Sequence, residues 1–205
     1  MKEMWNNKYA VNEYIYGEYP NKYFKYAIDT FLPSGKILLP AEGEGRNAVY
    51  AAQKGLEAVA FDQSVEGKNK AEKLAEKVGV KIDYQVGEFP ELPLINEKFD
   101  VAALIYAHFA PQLRSRYHRL IGNLINPGGF IIVEGFSKQH IEYQNANPNI
   151  GGPRNIEMLY TKEMIQNDFF NFEAIELIET EVDLAEGSGH NGIGKVIRFI
   201  GKKKT

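Results

Sequence analysis

Residues 41–48 read Ala41-Glu42-Gly43-Glu44-Gly45-Arg46-Asn47-Ala48 and follow directly on a short apolar run. Glycines at 43 and 45 let the backbone turn sharply and let a ligand approach without a Cβ in the way, and a following helix presents unpaired N–H groups. Asp62 comes 17 residues beyond Gly45, at the end of the next apolar run, where a carboxylate can accept both hydroxyls of a ribose. A ribose-bearing cofactor is what this stretch is built for. Two of the four histidines could reach a cleft beside it: His108 follows an apolar run and His190 lies in a glycine-rich turn, and either would serve as a base near neutral pH. Arg46 and Arg154 could orient an anionic acceptor. His118 falls off the apolar stripe of its helix and reads as a surface residue, and His140 sits in a polar stretch. No histidines or carboxylates have ligand spacing, so no metal site is expected.

Two cofactors suit the loop. Gly43-Glu44-Gly45-Arg46-Asn47-Ala48 satisfies the dinucleotide fingerprint with alanine as its third small residue, so a nicotinamide dinucleotide is one candidate. A pyrophosphate would, however, have to approach Glu42 and Glu44. S-adenosylmethionine has no phosphate and carries a sulfonium cation, so the charge argument favours it.

The elements that must hold these residues alternate from about residue 36, as in a parallel sheet covered by helices on both faces. Lys36–Pro40 and Ala58–Phe61 read as strands, with a helix over Arg46–Lys54 between them, closed by Gly55. From Ser64, an N-cap, the stripe Ala71, Leu74, Ala75, Val78 marks a helix stopped by Gly79. Lys81–Val86 is the third strand and Phe99–Tyr106 the fourth, its continuous apolarity that of a strand buried on both faces. Pro111 opens a helix ended by Pro127-Gly128-Gly129, and Phe130–Phe136 is the fifth strand. A polar loop over 137–159 then leads to a helix at Thr161–Phe170 and to two strands, Phe172–Asp183 and Lys195–Gly201. The short glycine-rich loop over 184–194 makes those two an antiparallel pair. The first 35 residues, rich in tyrosine and phenylalanine, suit a helical lid over the sheet edge or the cleft, and Lys202–Lys204 reads as a solvated tail.

With these elements in place, the segment ILLPAEGEGRNAVYAAQKGLEAVAFDQS over 37–64 resembles small bacterial S-adenosylmethionine-dependent methyltransferases of the tellurite-resistance type. Tyr16-Gly17, Pro20-Asn21, Phe99-Asp100, Ala107-His108-Phe109, Glu134, Gly151-Gly152-Pro153 and Gly189-His190-Asn191-Gly192 extend the resemblance over nearly the whole chain. It implies an α/β, Rossmann-like class I methyltransferase fold with a seven-stranded, mostly parallel sheet, an antiparallel carboxyl-terminal strand and helices on both faces. It also implies that Ala41, Glu42, Gly43, Gly45, Arg46 and Asn47 surround the cofactor, that Asp62 holds the ribose and Gln63 packs by the adenine. Glu88, between Gly87 and Phe89, would meet the adenine amino group. Ala107 and His108 would lie beside the methyl group, with His190 and Arg154 completing the catalytic set. The family loop begins Asp-x-Gly-x-Gly-x-Gly, whereas here Leu39 replaces the aspartate, Ala41 the first glycine and Glu42 the usual small or thiol residue. Glu42 stands where it could compensate for the lost carboxylate.

Composition narrows the field. The 205 residues contain no cysteine, which excludes disulfides, thiolate nucleophiles and thiol metal ligands. A net charge of −3 gives no field to hold a nucleic acid. A polar start and the lack of a long apolar run point to a cytoplasmic protein with no membrane partner. The reading is therefore one methyltransferase domain over 1–205, with a lid over 1–35 and a cofactor-binding core over 36–205. It would move a methyl group in line to a small-molecule acceptor, as monomer or homodimer. An NAD(P)-dependent oxidoreductase and a catalytically silent S-adenosylmethionine-binding protein are the alternatives.

Overall fold

The computed structural model describes residues 2–31 and 33–205. Two helices, α1 (Lys2–Tyr9) and α2 (Lys22–Phe31), precede the alternating region. There follow β1 (Lys36–Pro40), α3 (Arg46–Gln53), β2 (Glu57–Asp62), α4 (Val65–Val78), β3 (Asp83–Val86), β4 (Phe99–Ile105), α5 (Pro111–Leu124) and β5 (Ile125–Phe136). The chain ends with α6 (His140–Ala146), α7 (Lys162–Asp168), β6 (Phe172–Glu186) and β7 (His190–Lys203). The seven strands form one sheet in the order β3-β2-β1-β4-β5-β7-β6. β1 to β5 pair in parallel, β7 runs antiparallel to β5, and β6 pairs antiparallel with β7.

Burial on both faces explains the apolar strands. Leu38, Val59, Ala102, Leu104 and Val133 belong to one core, packed against Tyr117 and Ile121 of α5. Ile37, Leu39, Ala60, Ala103 and Ile105 face the other, under Phe24, Ile28, Ala48 and Ala51 of α2 and α3. Leu39 is fully buried there, so the position where the family carries an aspartate is core. Strand order reverses between β1 and β4, and the crevice at their carboxyl ends is where open α/β sheets bind ligands.

Four expectations need correction. The 184–194 loop is mostly strand: β6 and β7 close through Gly187-Ser188-Gly189, and Glu186 pairs with His190 across the hairpin. The polar stretch after β5 contains α6, whose His140 is fully buried; its Nδ1 accepts from Lys195 N at 3.2 Å and its Nε2 meets Gly151 O at 3.2 Å. His118 is not a surface residue, because α7 crosses α5 and Asp168 meets its Nδ1 at 2.9 Å, while also accepting from Ser115 Oγ and Arg114 Nε. The terminal lysines are not a free tail: Lys203 Nζ donates to Gly122 O and Ile125 O, satisfying carbonyls left open at the end of α5.

Gly45 sets the closest approach in the fold's first turn. At φ 88° its missing Cβ would stand 2.3 Å from Ala71 Cβ and 2.6 Å from Ala71 Cα, so only glycine lets α4 seat against the loop. Gly55 has the same φ of 88° with nothing within 4 Å. Gly55→Ala should therefore cost only the left-handed backbone strain, about 1 kcal/mol, whereas Gly45→Ala adds overpacking and should cost about 3 kcal/mol or more in urea denaturation. Equal losses would show that α4 yields freely.

Candidate functional site

β1 runs into the loop at 41–45 through Ala41, which holds φ 53°, a conformation in which a glycine would be unstrained. The loop then delivers Glu42 to the start of α3. Gly45, in N-cap position, offers no side chain, and Glu42 Oε1 instead accepts from Asn47 N and Ala48 N, both at 2.8 Å. The amides expected to face a ligand are thus already capped by a carboxylate of this chain. Burial pushes the Glu42 carboxyl up to about 7, against the pull of these hydrogen bonds. Glu44 points away from the crevice: its carboxylate accepts from Ile15 N, Tyr16 N and Lys70 Nζ, pinning the amino-terminal arm to the loop.

A cavity of about 590 Å³ opens over the carboxyl ends of β1, β2 and β4. β1 to β3 and the segments after them contribute Ala41, Glu42, Arg46, Asn47, Phe61, Asp62, Gln63, Gly87, Glu88 and Phe89. The end of β5, the segments after β4 and β5 and the start of β7 contribute Tyr106, His108, Phe109, Ala110, Leu113, Phe136, Gly152, Pro153, Arg154, Met158 and His190. Met4, Trp5, Lys8 and Tyr9 of α1, with Tyr16 of the arm, line it as well. Asn6 fixes α1 in place, its Oδ1 accepting from Ser64 Oγ and Val65 N at the start of α4.

The expected site residues divide. Asp62 lies in the wall, with Oδ1 accepting from Ser64 N at 2.9 Å and Oδ2 from Gly43 N at 3.2 Å, and burial raises its carboxyl above the usual range. These two bonds hold the carboxylate rigid and leave further acceptor capacity toward the cavity. Gln63 Nε2 donates to Glu88 Oε1 at the rim. Gly43, Gly45 and Ala107 are not in the wall: Gly43 O accepts from Tyr84, Gly45 packs on Ala71, and the Ala107 carbonyl accepts from Tyr160 Oη at 2.5 Å. Arg154 is at the mouth, but its guanidinium donates to Gln144 O and Pro148 O and braces its own loop. His108 is likewise committed: Nδ1 meets Met158 O at 2.8 Å and Nε2 accepts Phe136 N–H at 3.0 Å. Burial pulls its imidazole down to about 4. This ring ties β4, β5 and the following loop together, and both nitrogens are spent.

His190 differs. Its Nδ1 lies 2.9 Å from Glu186 Oε2, and its ring packs among Tyr16, Tyr106 and Phe136 at centroid distances of 4.6, 4.5 and 5.1 Å. The Glu186 carboxylate also accepts from Arg46 Nη2 at 3.1 Å and Asn21 Nδ2 at 2.9 Å. Burial opposes its charge, but His190 and Arg46 hold its carboxyl well below the usual range. The same Asn21 Nδ2 donates to Glu134 Oε1, and Arg198 Nε to Glu134 Oε2. Tyr106 stands over this cluster at φ 54°, a strained backbone for a tyrosine at the exit of β4. Sequence reasoning missed Glu186, Asn21 and Tyr106; the three-residue, glycine-flanked turn between 186 and 190 was the available hairpin signal for the first.

Over this geometry, residues 37–129 match the family model of the methyltransferase domain. No curated protein matches the chain at a significant level. Among solved structures, one described as "Conversion of a Disulfide Bond into a Thioacetal Group during Echinomycin Biosynthesis" is similar at TM-score 0.75 and 16% identity, covering 100% of this chain and 92% of that one. TehB from Haemophilus influenzae follows the chain at TM-score 0.69 and 14% identity, over 99% of this chain and 67% of its own. Magnesium protoporphyrin IX methyltransferase from Synechocystis, solved with bound S-adenosylhomocysteine, gives TM-score 0.64 and 12% identity over 99% and 83%. Residues 37–129 thus carry the match to the methyltransferase domain, and the solved structures share the fold of the chain.

All four histidines are held below their ordinary range, with burial the leading cause in each. Unfolding therefore takes up protons between pH 6.5 and about 4, and this uptake outnumbers the opposite effect of Glu42 and Asp62, which hold a proton longer in the folded chain. Stability should be present above pH 6.5 and fall as the pH drops toward 4. Urea titrations across that range should give a positive slope of stability against pH; a flat profile would contradict the buried neutral imidazoles.

Proposed function

We propose that the chain transfers the methyl group of S-adenosylmethionine to a small-molecule acceptor in the cavity over β1 and β4. The observation that carries this reading is the capping of α3 by Glu42. A dinucleotide needs that helix terminus for its pyrophosphate, and here a carboxylate occupies the amides and adds its own negative charge. A sulfonium and an ammonium are instead attracted to the same carboxylate. Asp62 suits the ribose hydroxyls, Phe89 and the Gln63–Glu88 pair the adenine, and Glu42 with Arg46 the amino-acid end. The cofactor supplies an electrophilic methyl carbon on a cationic sulfur. The protein supplies alignment, with the α1 residues as a lid that keeps water from the reacting atoms. A cytoplasmic setting belongs to this same proposal; TehB is one neighbour of similar fold and does not set the acceptor.

S-adenosylhomocysteine should raise the melting temperature and NAD should not, because a ligand that binds only the native state must stabilise it. The reverse result would restore the oxidoreductase reading, and no shift with either ligand would favour the silent alternative. Asp62→Ala should weaken S-adenosylhomocysteine binding by at least ~10-fold, on the order of one lost charge-assisted hydrogen bond. Because a cation favours ionised Glu42, S-adenosylmethionine affinity should rise as the pH passes upward through about 7, with proton release on binding. Calorimetry in buffers of different ionisation enthalpy reads this directly, and Glu42→Gln should abolish it.

A further inference from the structure

The cavity has a definite chemistry beyond β4 and β5. Its lining there includes Phe109, Ala110, Leu113, Phe136, Pro153 and Met158, which favour an apolar body. Its cations are already engaged. Arg46 holds Glu186 and Tyr16 O, Arg154 holds Gln144 O and Pro148 O, and Lys8 Nζ donates to Tyr16 Oη at 2.7 Å. An oxyanion entering there would lose its water shell and would have to compete with Glu186 and backbone carbonyls for these cations. Two polar groups of this wall are unspent: the buried Tyr106 hydroxyl, which has no partner among the described residues, and His190, which can act as a base. Its Nδ1 proton is held by Glu186, which fixes the tautomer and leaves Nε2 as an acceptor with no partner among the described residues.

We propose that the acceptor is a small apolar thiol and that His190, oriented by Glu186, takes the thiol proton as sulfur is methylated. This rests on the methyltransferase reading above. The balance is closed: the thiol proton passes to His190 Nε2, the sulfur pair forms the new S–CH₃ bond, and the breaking bond returns its pair to the sulfonium. The products are a methyl thioether, neutral S-adenosylhomocysteine and an imidazolium that returns its proton to water. Glu186 is a positioning residue, which stabilises the imidazolium without touching the acceptor.

Among protic nucleophiles a thiol suits this base best. The charged and titratable groups around His190 are Glu186 from β6, Arg46 from α3, Lys8 from α1, Tyr16 from the arm, Tyr106 and His108 after β4, and His140 from α6. Burial outweighs the pull of Glu186 and lowers the imidazole below its ordinary range. A base so weakened can accept from a thiol, whose pKa is about 8.5, far more readily than from an aliphatic alcohol, which ionises only near the range of bulk water at about 15.7. An amine is a cation near neutral pH, with a pKa of about 10.4, and would enter beside Arg46 and Lys8.

Two measurements test the proposal. Calorimetry on the unaltered chain saturated with S-adenosylhomocysteine should show binding of butanethiol at least ~10-fold tighter than of butanol, with no binding of tellurite. In turnover, His190→Gln, checked as folded by its retained S-adenosylhomocysteine melting shift, should lose at least ~100-fold with butanethiol at pH 7. That deficit should shrink as the pH is raised past about 8.5, where the thiol ionises unaided, and should be under about fivefold for an aryl thiol already ionised at neutral pH. Glu186→Gln should show the same pattern with a smaller deficit. A deficit independent of pH and of thiol acidity, or tellurite bound or methylated in preference to thiols, would overturn the proposal. Failure of S-adenosylhomocysteine to bind would instead overturn the methyltransferase reading; cofactor binding with inert thiols removes only this inference.

Discussion

The architecture around the cavity depends on the buried carboxylate of Glu186. It receives Arg46 from the helix after the glycine loop, Asn21 from the amino-terminal arm and His190 from its own hairpin, and through Asn21 it is joined to Glu134 and Arg198 on the central strands. Two carboxylates and the guanidinium of Arg46 are buried here, with Arg198 at the edge, and removing one partner from such a buried set typically costs about 3–5 kcal/mol. The cluster is therefore a poor source of net stability and a strong source of register. It lets one arrangement of arm, loop and hairpin form and penalises the others.

The glycine loop shows how a fold retains a geometry after its sequence has drifted. Leu39 has joined the core, Ala41 keeps a left-handed conformation without being glycine, and Glu42 supplies the cap that Gly45 cannot. Where the methyltransferases it resembles carry an aspartate at the end of β1, this chain has Leu39, and a carboxyl group stands three residues later at the start of α3. Its position at the helix terminus, more than the glycines themselves, separates this crevice from a dinucleotide site.

Most of the sheet was legible because strands buried on both faces must be continuously apolar and helices must keep one apolar stripe. Ser64 and Gly79 bound α4 as their capping chemistry requires, and the reversed strand order placed the cavity. What was illegible depended on contacts between distant segments. His118 looked exposed on the pattern of α5 alone, since nothing in that helix announces that Asp168 will cross it. His108 looked free because its two backbone partners, Met158 and Phe136, lie in other elements. The 184–194 stretch looked like a loop because its glycines mask strand pairing, and so Glu186 was never weighed against His190. Gly43 and Gly45 carried the motif signal while serving packing, whereas the aromatic wall came from an arm whose sequence shows no site pattern.

The tip of the β6–β7 hairpin lies against the amino-terminal arm with almost no clearance. A Cβ on Gly187 would stand 2.3 Å from Ile15 O and one on Gly189 2.4 Å from the Tyr16 ring, while Gly189 N donates to Ile15 O at 2.8 Å. Segments far apart in the sequence thus form the two halves of one joint. A change of bulk at the tip calls for a matching change in the arm, and a chimera that exchanged the hairpin without the arm would inherit a mismatched joint.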